Sequence, residues 1–396
     1  MKIVDVTEFY SERGGGVRSH LTLRGHFLCQ LGHDHVVIAP GPRDEDAPSR
    51  TGVAPDEPDQ PTSRLVRFAG PALPYDRTYH LLGRFDKIRE RVREERPDVL
   101  EAHSPYLASA AILACGRDAA RARTAFWHAD HVGTYVEPAL QQRLGPRLAR
   151  EAADVLWYGV RALLSPFDAT FVAGRAQANR LRAAGVPHVV HVPFGVDSRV
   201  FHPRERSEET REALMKGSGE RTALLVGVGR FAFEKRWDVV LQAFAQLRQR
   251  REAVLVLFGD GPERERLQAS APPGVRFAGF ERDRGALAAA LASADVLVHG
   301  CPYETFGIGV AEAVASGLPV VVPDAGGAAD SADPACAETY TSLDASACAT
   351  AIEKLLACDR IELRARAIEA ASRVPTTEQH FSSVLSAYRD LLRDKG

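Results

Sequence analysis

Cysteine, long apolar runs and net charge are all scarce in this sequence of 396 residues. The six cysteines, Cys29, Cys115, Cys301, Cys336, Cys348 and Cys358, stand apart, without C-x-x-C spacing or a histidine partner. That argues against a metal cluster or a disulfide framework and points to a reducing compartment. No apolar stretch approaches the length that spans a bilayer. Met1–Val6 reads as a short strand broken by Asp5, not as an export signal. The expectation is a cytoplasmic protein, with peripheral contact at the inner face of a membrane left open. The formal charge is -2 and the basic residues are dispersed, so no nucleic-acid partner is expected. No short-period repeat is visible.

What is present is a long alternation of strands and helices. The length suits two to three domains, and 45% hydrophobic residues suffice for large cores. Lys2–Val6, a glycine loop, a helix from Val17 to Leu31 and a strand at Asp34–Ala39 open a parallel sheet. Residues 40–62 are rich in Pro, Asp and Gly and read as an irregular excursion. Tyr79–Glu95 reads as an amphipathic helix, and Pro138–Ser165 as mostly helical, with Pro146 and Gly159 as candidate breaks. A second series begins at Thr222, with strands at Ala223–Val228, Ala253–Phe258, Val275–Ala278, Asp295–His299 and Pro319–Pro323. The expected fold class is α/β, with two doubly wound, Rossmann-like domains. Ligands are expected at the carboxyl ends of the strands, in a cleft between the domains.

The segment Cys301 to Glu312 follows a strand and opens a helix. Glu304 stands in the turn, and Glu312 lies about two turns further on. The N–H groups of Phe306, Gly307 and Ile308 are helix-start donors, which attract anions. Ionised carboxylates accept hydrogen bonds only. The segment thus suits a phosphorylated ligand with hydroxyls, or simply a capped helix with two solvated acids. Cys301 has no evident base beside it and reads as a small structural residue.

Gly14-Gly15-Gly16 lies between a strand and a helix, where it holds phosphate or forms a flexible loop. Gly227-Val228-Gly229-Arg230-Phe231-Ala232 matches a dinucleotide fingerprint, with Asp260 at the end of the next strand. A nicotinamide-dependent oxidoreductase is therefore the alternative reading. The same turn carries Arg230 and then Glu234-Lys235, cations suited to a diphosphate. Gly259-Asp260-Gly261-Pro262 is a strand–turn–helix junction with Pro262 at the first helical position, and Gly326-Gly327 is either a close-approach loop or a bend. His128 and Asp130 follow a strand end, with His103 and His131 as weaker candidates.

Taken together, the frame Glu304-Thr305-Phe306-Gly307 to Glu312-Ala313, Gly229-Arg230 with Glu234-Lys235, Gly259-Asp260-Gly261-Pro262 and the step Pro193-Phe194-Gly195-Val196-Asp197 carry a resemblance. The chain resembles family 4 retaining glycosyltransferases of the GT-B fold along nearly its whole length. The resemblance implies an N-terminal acceptor domain over 1–203, joined by a crossing helix over 377–396, and a donor domain over 204–376. It implies a nucleotide-sugar donor of the GDP-mannose or UDP-glucose type and a lipid, glycan or small-molecule acceptor. It also implies a reaction without cofactor or metal. By carry-over, Arg230 and Lys235 meet the diphosphate, Glu304 the sugar hydroxyls and Glu312 the ribose. The amides of Phe306, Gly307 and Ile308 meet sugar or phosphate, and Gly229, Gly259 and Asp260 complete the donor site. Gly15 and Gly16 close over diphosphate or acceptor, and His128 lies beside the transferred sugar. Arg143, Arg147, Arg150 and Arg161 near Trp157 and Tyr158 suit either an anionic membrane surface or a packed amphipathic helix.

Overall fold

The structure, a computed structural model, describes residues 1–11, 15–48, 63–74, 76–219 and 221–395. It divides into two compact units. The first comprises Met1–Ala173, Ala178–Val192 and His380–Gly396; the second comprises Gly174–Gln177 and Pro193–Gln379.

The first unit runs β1 (Lys2–Val6), α1 (Gly16–Gln30), β2 (Asp34–Gly41), β3 (Glu45–Pro48), β4 (Ser63–Ala69), α2 (Phe85–Glu95), β5 (Val99–Ala102) and α3 (Leu107–Ala114). It continues through β6 (Ala122–Trp127), α4 (Glu137–Leu164), β7 (Ala169–Val172), α5 (Arg175–Ala183) and β8 (Val189–His191). The strand order is β3-β4-β2-β1-β5-β6-β7-β8, parallel except for the β3–β4 pair. Val4, Val6, Ile38, Leu100 and Trp127 point into a core closed by helices. Strands that are apolar at nearly every position are covered on both faces, which is what a parallel sheet with crossover helices requires.

The second unit runs α6 (Glu208–Met215), β9 (Ala223–Val228), α7 (Trp237–Arg248), β10 (Ala253–Phe258), α8 (Arg264–Ser270), β11 (Val275–Gly279) and α9 (Arg284–Ser293). Then come β12 (Val296–Val298), α10 (Ile308–Ala315), β13 (Val320–Pro323), α11 (Gly327–Ser331), β14 (Ala337–Tyr340), α12 (Ala345–Ala357) and α13 (Arg360–Ala371). Its sheet is parallel, in the order β11-β10-β9-β12-β13-β14. The last helix, α14 (Thr377–Arg393), contributes His380 onward to the first unit.

Several local expectations change. The excursion over 40–62 is not wholly irregular: β2 extends to Gly41, and β3 pairs antiparallel with β4. Arg64 and Arg91 both reach Asp46, at 2.8 and 2.6 Å. Positions 49–62 of that excursion, and Gly14 of the glycine loop, lie outside the described residues. Helix α2 begins at Phe85, not Tyr79, because the preceding backbone is already used. Leu73 N–H donates to Tyr79 O and Leu81 N–H to Pro71 O, each at 2.9 Å. Helix α4 breaks at Gly145 (φ 75°), immediately before Pro146, and continues through Gly159. A residue preceding proline is disfavoured in the α region, so the break falls one position early. Helix α8 starts at Arg264, so Pro262 stands ahead of the helix in the turn, not at its first position. Strand β14 is a short, partly exposed edge strand without a strong apolar pattern.

Candidate functional site

Four strand ends of the second unit build one arrangement. Strand β9 ends at Val228, and the chain then passes through a tight turn over Phe233–Lys235 before α7 begins at Trp237. A dinucleotide fingerprint opens its helix directly from the glycine turn, and this turn does not. Instead it delivers Lys235, whose Nζ lies 2.5 Å from Glu304 Oε1. Its carboxylate partner comes from 69 residues away in the chain. His299, at the end of β12, places Nε2 3.3 Å from the same carboxylate oxygen. Burial alone would raise the Glu304 pKa, but Lys235 and then His299 hold it well below the usual carboxylate range. Burial works against charge on Lys235 too, and Glu304 overcomes it, holding the ammonium above its ordinary 10.5. The site therefore presents a fixed cation and a fixed anion side by side, in little water, where fields act most strongly.

The turn carrying Glu304 is clamped by the glycine pair that had read as either a loop or a bend. Gly327 N–H donates to Glu304 O at 2.6 Å. A Cβ on Gly326 would meet Pro302 O at 2.5 Å, and one on Gly327 would strike Phe306 Cα. Gly307 caps α10 with φ 83°, a conformation glycine adopts freely. Among the described residues, the N–H groups of Phe306, Gly307 and Ile308 make no backbone hydrogen bond. Ile308 is exposed and Phe306 is buried, with its ring edge-on to Phe194 at 5.3 Å. Cys301 is buried, and burial, then Glu304, pushes its thiol up to about 12, so it stays protonated and inert.

Glu312 is buried and bonded to Arg284 Nη2 at 2.5 Å. Burial raises its pKa, and Arg284 opposes that rise. The Arg284 guanidinium also lies over the Phe201 ring at 4.6 Å. Sequence reasoning missed Arg284 and His299. The signal for His299 was its place at a strand end two residues before Cys301. Arg284, at the start of a small-residue helix, left no such signal. Gly259 stacks its backbone on the Gly229 carbonyl, which a Cβ would strike. The Asp260 carboxylate is exposed, accepts the N–H of Gly261 at 2.8 Å and faces Arg264 at 3.4 Å. The Arg230 side chain is exposed and makes no ion pair among the described residues.

In the first unit, Gly15 precedes α1 with φ 141°, and Gly16 is the first residue of that helix, with open space where a Cβ would stand. His128 follows β6, and its Nε2 lies 2.8 Å from His103 Nδ1. His103 Nε2 faces Asp5 Oδ1 at 3.3 Å and Glu101 Oε1 at 3.4 Å. In a neutral His103 the proton belongs at that carboxylate side. Nδ1 is then the acceptor for His128 Nε2–H. Burial, then His103 and Arg24, lowers the His128 pKa well below its ordinary value, so the ring is neutral. Phe126 stacks on it at 4.5 Å, and His20 stands edge-on at 5.0 Å. Behind them Arg24 bridges Asp5 (3.0 Å) and Glu101 (2.7 Å) and donates to Tyr388 Oη (2.6 Å). Burial would raise the Asp5 pKa; Arg24 and then His103 bring it well below the carboxylate range. Asp130 caps the turn after His131, accepting the Gly133 N–H at 2.7 Å.

Among the described residues, three groups bring possible metal ligands together: His20-His103-His128, His299-Cys301-Glu304 and Asp5-Glu101-His103. Their chemistry favours other partners. The carboxylates are held by Lys235 or Arg24, the thiol stays protonated, and His103 and His128 bond to each other. The one literal D-x-D triplet, Asp44-Glu45-Asp46, is engaged by Lys87, Arg67, Arg64 and Arg91. Trp157 turns inward, stacks on Trp127 at 5.9 Å and donates to Glu137 at 2.8 Å, which favours a packed α4. No helix of the described residues is long and apolar enough to cross a membrane.

Comparison with known proteins agrees with this architecture. Residues 14–200 match Glycosyltransferase Family 4, and residues 208–374 match Glycosyl transferases group 1. The chain is 33% identical over 326 residues to a GDP-mannose-dependent alpha-(1-6)-phosphatidylinositol dimannoside mannosyltransferase of Mycobacterium tuberculosis, covering 81% of this chain and 79% of the relative. It is 31% identical to a GDP-mannose-dependent alpha-mannosyltransferase of Mycolicibacterium smegmatis, over 88% of this chain and 86% of the relative. Among solved structures, sucrose-phosphate synthase from Thermosynechococcus elongatus superposes with a TM-score of 0.74 at 19% identity, covering 100% of both chains. HepE from Anabaena, in complex with UDP and glucose, superposes at 0.70 and 18% identity, over 98% of this chain and 100% of HepE. These matches give the nicotinamide-dependent alternative no support. Two parallel-sheet units, the clamped Glu304 turn and these relatives lead to one conclusion: the chain is a glycosyltransferase of the GT-B fold and belongs to glycosyltransferase family 4.

Proposed function

We propose that the protein transfers a mannosyl group from GDP-mannose, with retention and without a metal ion, to a hydroxyl of a lipid or glycan acceptor. The observation that carries the donor choice is the likeness to GDP-mannose-dependent mannosyltransferases over more than four fifths of the chain. The Lys235–Glu304 pair supports the chemistry. The bond from the anomeric carbon to the diphosphate oxygen breaks, and one to the acceptor oxygen forms on the same face. The acceptor proton passes to the departing phosphate. Lys235 and Arg230 offset the charge that grows on that phosphate. Glu304, ionised and oriented by Lys235 and His299, accepts hydrogen bonds from sugar hydroxyls. The helix-start amides of Phe306, Gly307 and Ile308 add donors to the diphosphate or sugar, with Gly229, Gly259 and Asp260 in the same donor site. Glu312, shared with Arg284, is assigned to the ribose. His128 lies beside the transferred sugar, and Gly15 and Gly16 let diphosphate or acceptor approach the backbone.

A donor panel tests the reading. GDP-mannose, UDP-glucose and ADP-glucose are each incubated with lipid extract, with and without EDTA, and the released nucleoside diphosphate is measured. GDP release from GDP-mannose alone, unaffected by EDTA, with an α-linked product, is the expected result. Release from UDP-glucose instead, or abolition by EDTA, would overturn the donor or the metal assignment. Co-sedimentation with anionic vesicles tests peripheral membrane contact.

A further inference from the structure

The donor residues of the second unit all follow the carboxyl ends of its strands. A different cavity opens at the amino ends, beside Thr222, Ala223, Asp295 and Pro319. These residues start or immediately precede β9, β12 and β13. Strands of this length separate the two ends by roughly 10–20 Å. The cavity holds about 300 Å³, the lower end of the range for small-ligand pockets.

Its lining is charged in one sense. Arg206, Arg221, Arg251, Arg360 and Arg364 surround it, and Asp295 is the one acid among the described lining residues. Asp295 is already committed. Its Oδ1 accepts from Arg360 at 2.8 Å and Arg211 at 3.2 Å; its Oδ2 accepts from Arg211 and from Leu224 N–H, both at 2.8 Å. Among the described residues Arg364 reaches the Ala292 carbonyl, at 3.2 Å, and Arg251 the Leu356 carbonyl, at 3.0 Å. Arg206 and Arg221 make no side-chain hydrogen bond or ion pair among the described residues. Burial, and then Arg206 and Arg360, press the Arg364 pKa below the usual arginine value. The fold thus holds like charges against one another around an open cavity, a cost that an anion would relieve. Five arginines line one cavity, and guanidinium forks match the oxygens of a phosphate group in bidentate fashion.

We propose that this cavity is a second anion site, remote from the donor residues, that binds a phosphate group carried either by a small phosphorylated molecule or by a lipid headgroup. It stands independently of the donor assignment.

Inorganic pyrophosphate at near-physiological salt is the probe for the free form, read by thermal shift and calorimetry. Vesicles of phosphatidylcholine with and without phosphatidylglycerol are the probe for the headgroup. The chains compared are wild type, the double variant Arg206→Ala/Arg364→Ala, and Lys235→Ala, which reports any pyrophosphate taken by the donor residues. The expected result is a stabilisation or vesicle binding that survives in Lys235→Ala and weakens roughly tenfold or more in the double variant. Without ligand, the double variant should melt at or above the wild-type temperature, because it relieves repulsion. A plain folding defect would instead lower that temperature. A response to pyrophosphate assigns the free form, and a response confined to anionic vesicles assigns the headgroup. No response in either arm overturns the proposal, as does a response lost in Lys235→Ala and kept in the double variant.

Discussion

Lys235 and Glu304 lend each other their charges, and removing either leaves the other stranded. Lys235→Ala deletes a preorganised cation and should cost about 3 kcal/mol or more of transition-state stabilisation, read as kcat in the donor assay. Glu304→Gln keeps the shape and removes the charge, and a comparable loss is expected. Unchanged kcat in Lys235→Ala would refute the diphosphate role. The pair also carries a pH signature. The lowered Glu304 pKa contributes stability that is present above the ordinary carboxylate value of 4.5 and is lost as pH falls further. The raised Lys235 pKa contributes stability that is present below 10.5 and is lost as pH rises beyond it. His20 and His128 act earlier on the acid side. Both have pKa values lowered from 6.5 by burial, so the unfolded chain binds their protons first. The melting temperature should therefore decline as pH drops below about 6.5, and this decline should shrink in His20→Phe. His103 is a positioning residue for His128. His103→Phe should lower kcat roughly tenfold or more while leaving the donor KM unchanged. A fall in melting temperature with kcat intact would reduce His103 to packing.

At the scale of elements, the glycines between strand and helix decide how near the chain lets its neighbours come. Gly259→Ala places a methyl group on the Gly229 carbonyl in a backbone conformation (φ 149°) that alanine resists. It should destabilise the second unit by about 1–3 kcal/mol and weaken donor binding, both measurable by melting with and without nucleotide. The alternation of apolar strands and capped helices was legible because a parallel sheet buries both faces and writes continuous apolar runs into the chain. Val296–Val298 and Val320–Pro323 are examples. Elements held by charge or by an edge were not. Strand β3 is Glu-Asp-Ala-Pro, which reads as a turn, and it depends on arginines of β4 and α2. The same distinction holds in the site. Glu304, Lys235 and His128 stood after strands and in known frames, whereas Asp5 looked like a break in an apolar strand and Glu101 drew no reading. They are the buried anions that hold Arg24 and orient His103. A charge inside an otherwise apolar strand was the available signal, since such a group is almost never buried without a partner.

Over the whole molecule, the order of the chain and the membership of the units do not coincide. Residues 380–396 belong to the first unit, to which they bring the buried side chains of His380, Phe381, Val384, Leu385 and Tyr388. Tyr388 Oη bonds to a fully buried arginine, so Tyr388→Phe should cost about 1–3 kcal/mol in denaturant unfolding. Ending the chain at residue 379 should do far more, exposing the apolar surface that α14 covers and sending the product into the insoluble fraction. During synthesis, domains ordinarily fold as they emerge, the N-terminal one first. Here the first unit to leave the ribosome cannot close until residues 380–396 have been made. Its nascent sheet must wait with one face incomplete while the entire second unit is translated. Slowed translation ahead of the codons for residues 380–396, or an insertion that holds those residues away, should therefore harm the first unit and spare the second.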